Sequence, residues 1–224
     1  MTRWNHRWAA LVVLAVVLTG CGGSAGSSSP GAAALVPSVP AGSAAAASPA
    51  PPRFSLADAK GDIVDGKGQK AVMQPAVDIT RLTASIEGTT LRLDLTLAGP
   101  PPVKLSAGVR EVTYLFVIEA NRSGVDDFWV TITNTGNGGW SAKLSDWTAG
   151  LEYVGDRFPG KTAVAAGGVS VTVPLVALAS PSGLRISAVA RVRDHKTGAV
   201  LAEDQVPKGE TMRPTADWLT LAIQ

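Results

Sequence analysis

Thr90-Leu91-Arg92-Leu93-Asp94-Leu95-Thr96-Leu97 sets a leucine against a polar residue at every step. A period of two belongs to a strand with one face on a core and the other in water. Just upstream, Asp78 to Glu87 carries Ile79, Leu82, Ala84 and Ile86, and Glu87-Gly88-Thr89 between the two runs reads as a hairpin turn. The odd spacing from Ile79 to Leu82 breaks the alternation once, which predicts a bulge or register change there.

The same period continues toward the C-terminus. Val109 to Glu119 is apolar on both parities from Tyr114 to Ile118, which predicts a central strand covered on two sides. Phe128, Val130 and Ile132 alternate with Trp129, Thr131 and Thr133, and Trp140, Ala142 and Leu144 alternate with Ser141, Lys143 and Ser145. Val169, Val171 and Val173 run up to Pro174, a residue confined to strand ends and edges. Ile186, Ala188, Ala190 and Val192 face away from Arg185, Arg191 and Arg193, and the cluster Asp194 to Gly198 turns the chain into Ala199 to Glu203. Seven or more strands without a long 3.6-residue period predict an all-β domain over 53–224, an antiparallel β-sandwich of immunoglobulin or jelly-roll type. Ser145 to Gly160 is less regular and reads as a surface loop.

The N-terminal part has a different character. Residues 1–20 join Arg3, His6 and Arg7 to the apolar run Trp8 to Thr19, too short to cross a bilayer comfortably and laid out as a signal peptide. Leu18-Thr19-Gly20-Cys21 then resembles the lipobox of bacterial lipoproteins, which implies acylation of Cys21 and residence in the membrane on its extracytoplasmic face. Cys21 is the one cysteine of the chain, so no internal disulfide can form. From residue 22 to 52 the composition falls to Ala, Ser, Pro and Gly with only Leu35, Val36 and Val39 as larger apolar residues and no charge, so 21–52 reads as a lipidated cysteine and a disordered linker. As a flexible coil it reaches on the order of 30 Å.

Charge and chemistry narrow the function. The net charge is +2, and setting aside Arg3 and Arg7 leaves 18 bases against 18 acids, which provides no field for nucleic acid. After the signal one histidine remains, His195, in a polar turn, and no thiol is left free for a Ser-His-Asp or Cys-His nucleophile. The glutamates show no pair spaced for glycosidic cleavage, and there is no HExxH, CxxC or phosphate-cradling glycine loop in 53–224. A binding protein is expected, not an enzyme.

Asp58-Ala59-Lys60-Gly61-Asp62, Asp78-Ile79-Thr80, the strand from Thr90, Val173-Pro174-Leu175 and the late Arg193-Asp194 hairpin resemble the DOMON-like sandwich typified by family 9 carbohydrate-binding modules. That resemblance implies a glycan ligand. Pyranose rings pack their CH faces on exposed indoles and phenols. Trp129 is the best contact, with Trp147 and Tyr153 from the irregular stretch and Arg191 and Arg193 as donors. The same residues also read as ordinary packing and solvated arginines. The resemblance further implies a structural Ca²⁺, for which Asp58, Asp62 and Asp65, in a glycine-containing loop expected before the first strand, supply hard oxygen ligands, although Lys60 and Lys67 among them favour a solvated Asp-rich turn. Some relatives of this sandwich hold a b-type haem between methionine and histidine, here Met73 or Met212 with His195. Three readings stand: a lipid-anchored module for a polysaccharide or other envelope component, a scaffold lipoprotein docking an envelope protein, and a haem-binding domain.

Overall fold

The computed structural model describes residues 53–71, 74–120, 124, 126–137, 139–209 and 215–223. The expected signal peptide and linker, Cys21, Met73 and Met212 lie outside them. Twelve strands are formed among the described residues: β1 (Arg53–Ala57), β2 (Ile79–Glu87), β3 (Thr90–Leu97), β4 (Val109–Ala120), β5 (Phe128–Asn134), β6 (Trp140–Asp146), β7 (Leu151–Val154), β8 (Lys161–Ala165), β9 (Gly168–Pro174), β10 (Gly183–Asp194), β11 (Val200–Val206) and β12 (Leu219–Ala222). No α-helix occurs among them, only single 3-10 turns at Gly155–Arg157 and Leu175–Leu178.

Every pairing is antiparallel, in two sheets. One has the order β1-β2-β3-β9-β8. The other runs β11-β10-β4-β5-β6-β7, with β12 added beside β10. The leucines of β3 face valines of β9 and the Ile79, Leu82, Ala84 set of β2 on one wall of the core. Tyr114, Phe116 and Ile118 of β4, Val130 and Ile132 of β5, and Ile186, Ala188 and Ala190 of β10 form the other. Each leucine, isoleucine, valine or phenylalanine among them contributes roughly 1.5–3 kcal/mol on burial, which is how a sandwich without a disulfide holds together. The break in β2 is a register shift between Ile79 and Arg81, as the Ile79-to-Leu82 spacing predicts.

Burial of β4 on both parities has a definite cause. Tyr114, Phe116 and Ile118 point into the sandwich, while Leu115 and Val117 point outward and are covered by Trp218 together with Val189. Trp218 immediately precedes β12, whose pairing with Gly183–Ile186 of β10 fixes the C-terminal segment over that outer face.

Two expectations need correction. Ser145 to Gly160 is not one surface loop, because β6 continues to Asp146 and β7 pairs beside it. The aspartate loop does not precede the first strand, since β1 comes before Asp58. β1, β7 and β8 are edge strands that are mostly exposed, so they carry no buried stripe from which a period of two could be read.

Candidate functional site

The outer face of the seven-stranded sheet is laid out by register. One row across it is Ser187, Val117, Trp129, Ser145 and Glu152, and the next is Val189, Leu115, Thr131, Lys143 and Val154. Trp129 sits where the apolar part of that face, Leu115, Val117, Val189 and Trp218, gives way to threonine, serine and charge. Its indole N–H donates to Asp126 Oδ2 at 2.5 Å, which fixes the ring. Trp147, just past β6, meets it edge to face with ring centroids 4.9 Å apart and planes at 69°. The Trp147 backbone N–H donates to the Asp127 carbonyl at 2.9 Å, so the turn carrying it is tied to the start of β5. Trp147 is 53% exposed although it is one of the largest apolar side chains in the protein. The two residues flanking it, Asp146 and Thr148, line a cavity of about 440 Å³ with Asp127, Phe128 and Ala149. A half-buried indole braced by a carboxylate and a second indole open to solvent can hold a flat ring that has hydroxyls at its edge.

The other residues singled out for ligand binding are not brought to this pair. Tyr153 stands opposite Leu144, on the core-facing side of its strand, where it packs against the main core. Arg191 and Arg193 do point outward, but on β10, with β4 between them and Trp129. Arg191 is ion-paired with Glu203, while Arg193 pairs with Glu111 at 3.1 Å and donates to the Gly198 carbonyl. His195 is exposed in a turn locked by Asp194, whose Oδ1 accepts from the backbone N–H and hydroxyl of Thr197 and from the N–H of Lys196. Those bonds, the Thr197 N–H first, hold the Asp194 carboxyl below its usual range. An exposed turn gives His195 none of the apolar lining a haem ligand needs.

The aspartates form a second cluster, with one exchange of membership. Asp58 and Asp62 lie together as expected, but their third partner is Asp204 of β11, and the ligand-capable oxygens of the three all fall within 4.8 Å of one another. Asp65 is elsewhere. Its Oδ1 accepts the N–H groups of Lys67 and Gln69, both at 2.9 Å, so it closes its own turn, and those bonds, Gln69 first, lower its pKa. Asp204 is almost fully buried and accepts from Ile79 N–H (2.7 Å) and Gln205 N–H (2.9 Å). Burial first, then the charges of Asp58 and Asp62, push its carboxyl up to about 7. Burial likewise raises Asp58, with Asp62 adding to the effect. Lys208 is ion-paired with Asp62, and the fully buried Asp78 nearby is satisfied by the Gly61 N–H at 3.1 and 3.0 Å.

Asp58 Oδ2 and Asp62 Oδ1 are shielded from solvent and accept no hydrogen bond. Such oxygens fit a hard cation: ligands about 2.4 Å from an ion lie at most about 4.8 Å apart. Asp58, Asp62 and Asp204 would hold a calcium ion. Its positive charge would tie the chain leaving β1 to β11, one segment from each sheet. Sequence reading could not bring Asp204 into this set from spacing, since it lies more than a hundred residues away. A signal was present nonetheless, because Asp204 occupies the inward parity between Ala202 and Val206 in β11.

No protein-family model matches the chain, and no curated protein matches it. A solved structure from Bacteroides uniformis, described as a candidate carbohydrate-binding protein, is similar at 10% identity and a TM-score of 0.36, covering 78% of this chain and 87% of that one.

Proposed function

We propose that this chain is a membrane-anchored lipoprotein, held on the extracytoplasmic side by acyl chains on Cys21, whose sandwich binds a glycan of the cell envelope or its surroundings without turning it over. The observation that carries the glycan reading is the Trp129–Trp147 pair: one ring braced by Asp126, the other open to solvent, where the apolar part of the face gives way to threonine, serine and charge. Stacking on such rings buries apolar CH area while hydroxyls reach the polar surroundings. The lipobox Leu18 to Cys21 and the uncharged spacer after it support the anchoring.

Retention on chitin, cellulose and peptidoglycan tests the reading. The protein is expected to be held by at least one of them, with about tenfold weaker retention for Trp147→Ala, or about 1.4 kcal/mol. Because Trp147 is half in solvent, that change should leave the unfolding midpoint near wild type, whereas Trp129→Ala should lower both. No retention on any polymer, or equal retention of both variants, would overturn the proposal. Anchoring has its own check: Cys21→Ser is expected to move the protein out of the membrane fraction, and continued sedimentation with membranes would contradict acylation as the anchor.

A second reading has one observation in its favour. Edge strand β7 leaves Leu151 and Val154 49% and 42% exposed, which suits docking of an envelope protein along that edge. Replacing Leu151 with a charged residue separates the two, since it weakens an edge-docked partner and spares a ligand stacked on the indoles.

A further inference from the structure

We propose that Glu152 and Lys143 are further binding residues of the Trp129–Trp147 site, holding adjacent hydroxyls of a sugar stacked on Trp147; this rests on the glycan reading above. The two indoles cannot close on a sugar from both sides. Carbon contacts of about 3.5–4.0 Å on each face of a pyranose need parallel rings about 7–8 Å apart. Here the centroids are 4.9 Å apart and the planes meet at 69°. The ligand therefore lies on the open face of Trp147 alone, and its hydroxyls must find partners beside that ring.

Register supplies those partners. Ser145 has Trp129 opposite it on β5 and Glu152 opposite it on β7, and Trp147 follows two residues later. Its row faces outward, yet Ser145 is only 3% exposed, so the larger side chains around it roof it over. The Ser145 hydroxyl lies 3.5 Å from Glu152 Oε1, which brings that carboxylate to the rim of the indole pair. Trp147 stands diagonally from Glu152, an offset of about 7–8 Å that aromatic and long side chains span. Lys143, two residues before Ser145 on the same face of β6, donates to Glu152 Oε1 at 2.8 Å. That bond, chief among the causes, holds the Glu152 carboxyl below its usual range.

The pair is only half committed. The Lys143 and Glu152 side chains are 37% and 57% exposed, and both bonds to Glu152 end on Oε1. Oε2 is left to accept, and the ammonium keeps further hydrogens to donate. A sugar hydroxyl both donates and accepts. Neighbouring hydroxyls can therefore give one O–H to Oε2 and take one N–H from Lys143, and both of those bonds are charge-assisted. An exposed ion pair contributes little to stability, but beside a stacking ring it decides which rim of a sugar is recognised.

Retention on chitin, cellulose and peptidoglycan, each also in O-acetylated form, tests the inference with Glu152→Ala, Glu152→Gln and Lys143→Ala. On a polymer that holds wild type through Trp147, Glu152→Ala is expected to be retained about tenfold less, and Lys143→Ala several-fold less. Glu152→Gln should fall between Glu152→Ala and wild type, because it keeps one acceptor. All three variants should melt near wild type. O-acetylation removes the O–H donors, so it should weaken wild type about fivefold more than it weakens Glu152→Ala. Equal losses on acetylation would make Glu152 a structural residue only and overturn the assignment. Wild-type retention of both alanine variants alongside a loss for Trp147→Ala would also overturn it, while leaving the glycan reading intact. Absence of any Trp147-dependent retention would remove the glycan reading, and the assignment with it.

Discussion

Calcium at a hundredfold its dissociation constant is expected to raise the thermal midpoint of the chelator-stripped protein by roughly 5–10 °C, equivalent to about 2.7 kcal/mol. The stripped protein holds Asp58, Asp62 and Asp204 against one another with Lys208 as the paired cation, and two shielded oxygens accept nothing. An ion that binds only the folded arrangement adds its binding free energy to folding. Asp58→Asn is the informative variant. An amide can keep the Ala59 N–H bond to Oδ1 and turn its NH₂ toward the neighbouring carboxylates. In chelator at pH 8 this variant is expected to melt above wild type, and with calcium to gain little. An equal calcium increment in both proteins, or none in wild type, would remove the cation from this cluster.

Proton linkage sharpens the same test. Asp58 and Asp204 both titrate above the unfolded value of 3.8, with burial the first cause in each, and Asp204 reaches about 7. The folded chain therefore binds these protons more tightly than the unfolded one. The resulting stability is complete below the unfolded pKa and is lost as pH rises through the folded one. Without metal, this cluster favours folding more at pH 5 than at pH 8. With calcium the order of benefit reverses, because protons compete with the ion at low pH, so the increment from calcium should be larger at pH 8.

The strands that carry the core were legible because each has one dry face. Leu91 to Leu97 and Val169 to Val173 alternate without interruption and Ile186 to Val192 does so except at Val189, and the parity of all three matched the observed core. Parity likewise put Trp129 outside and Trp140 inside, where Trp140 stacks on Tyr114 at 5.3 Å. What escaped was of two kinds. β1, β7 and β8 are edges exposed along most of their length, so hydrogen bonding to a neighbour, and not a hydrophobic stripe, makes them strands. The contacts within the sites escaped, although Trp129, Trp147, Asp58 and Asp62 are all singled out by sequence, because they are assembled across the fold: Asp204 reaches Asp58 only when β11 comes up against β2, and Trp147 meets Trp129 only when β6 pairs with β5. Local spacing instead favoured Asp65, a neighbour in sequence whose carboxylate is consumed by its own turn.

Gly168→Ala is expected to destabilise the sandwich by about 3 kcal/mol or more, lowering the midpoint by roughly 6–12 °C. Gly168 opens β9 in the hairpin from β8 and pairs with Thr96 of β3 on its other side. Its φ is +146°, and a Cβ there would stand 1.9 Å from the Leu95 carbonyl oxygen. Backbone, not a flexible side chain, is the obstacle, so β3 or β9 must move and part of the ladder between them must open. Gly88→Ala provides the control. Gly88 has a φ of +61° in the β2–β3 turn with nothing within 4 Å of the added carbon, so it bears dihedral strain alone, of about 1 kcal/mol. A Gly168 variant that loses no more than the Gly88 variant would show that the β3–β9 contact yields cheaply. The Trp129–Trp147 pair belongs to the other sheet. The fraction of Gly168→Ala that remains folded should therefore be retained on glycan like wild type, and that separates loss of the scaffold from loss of the site.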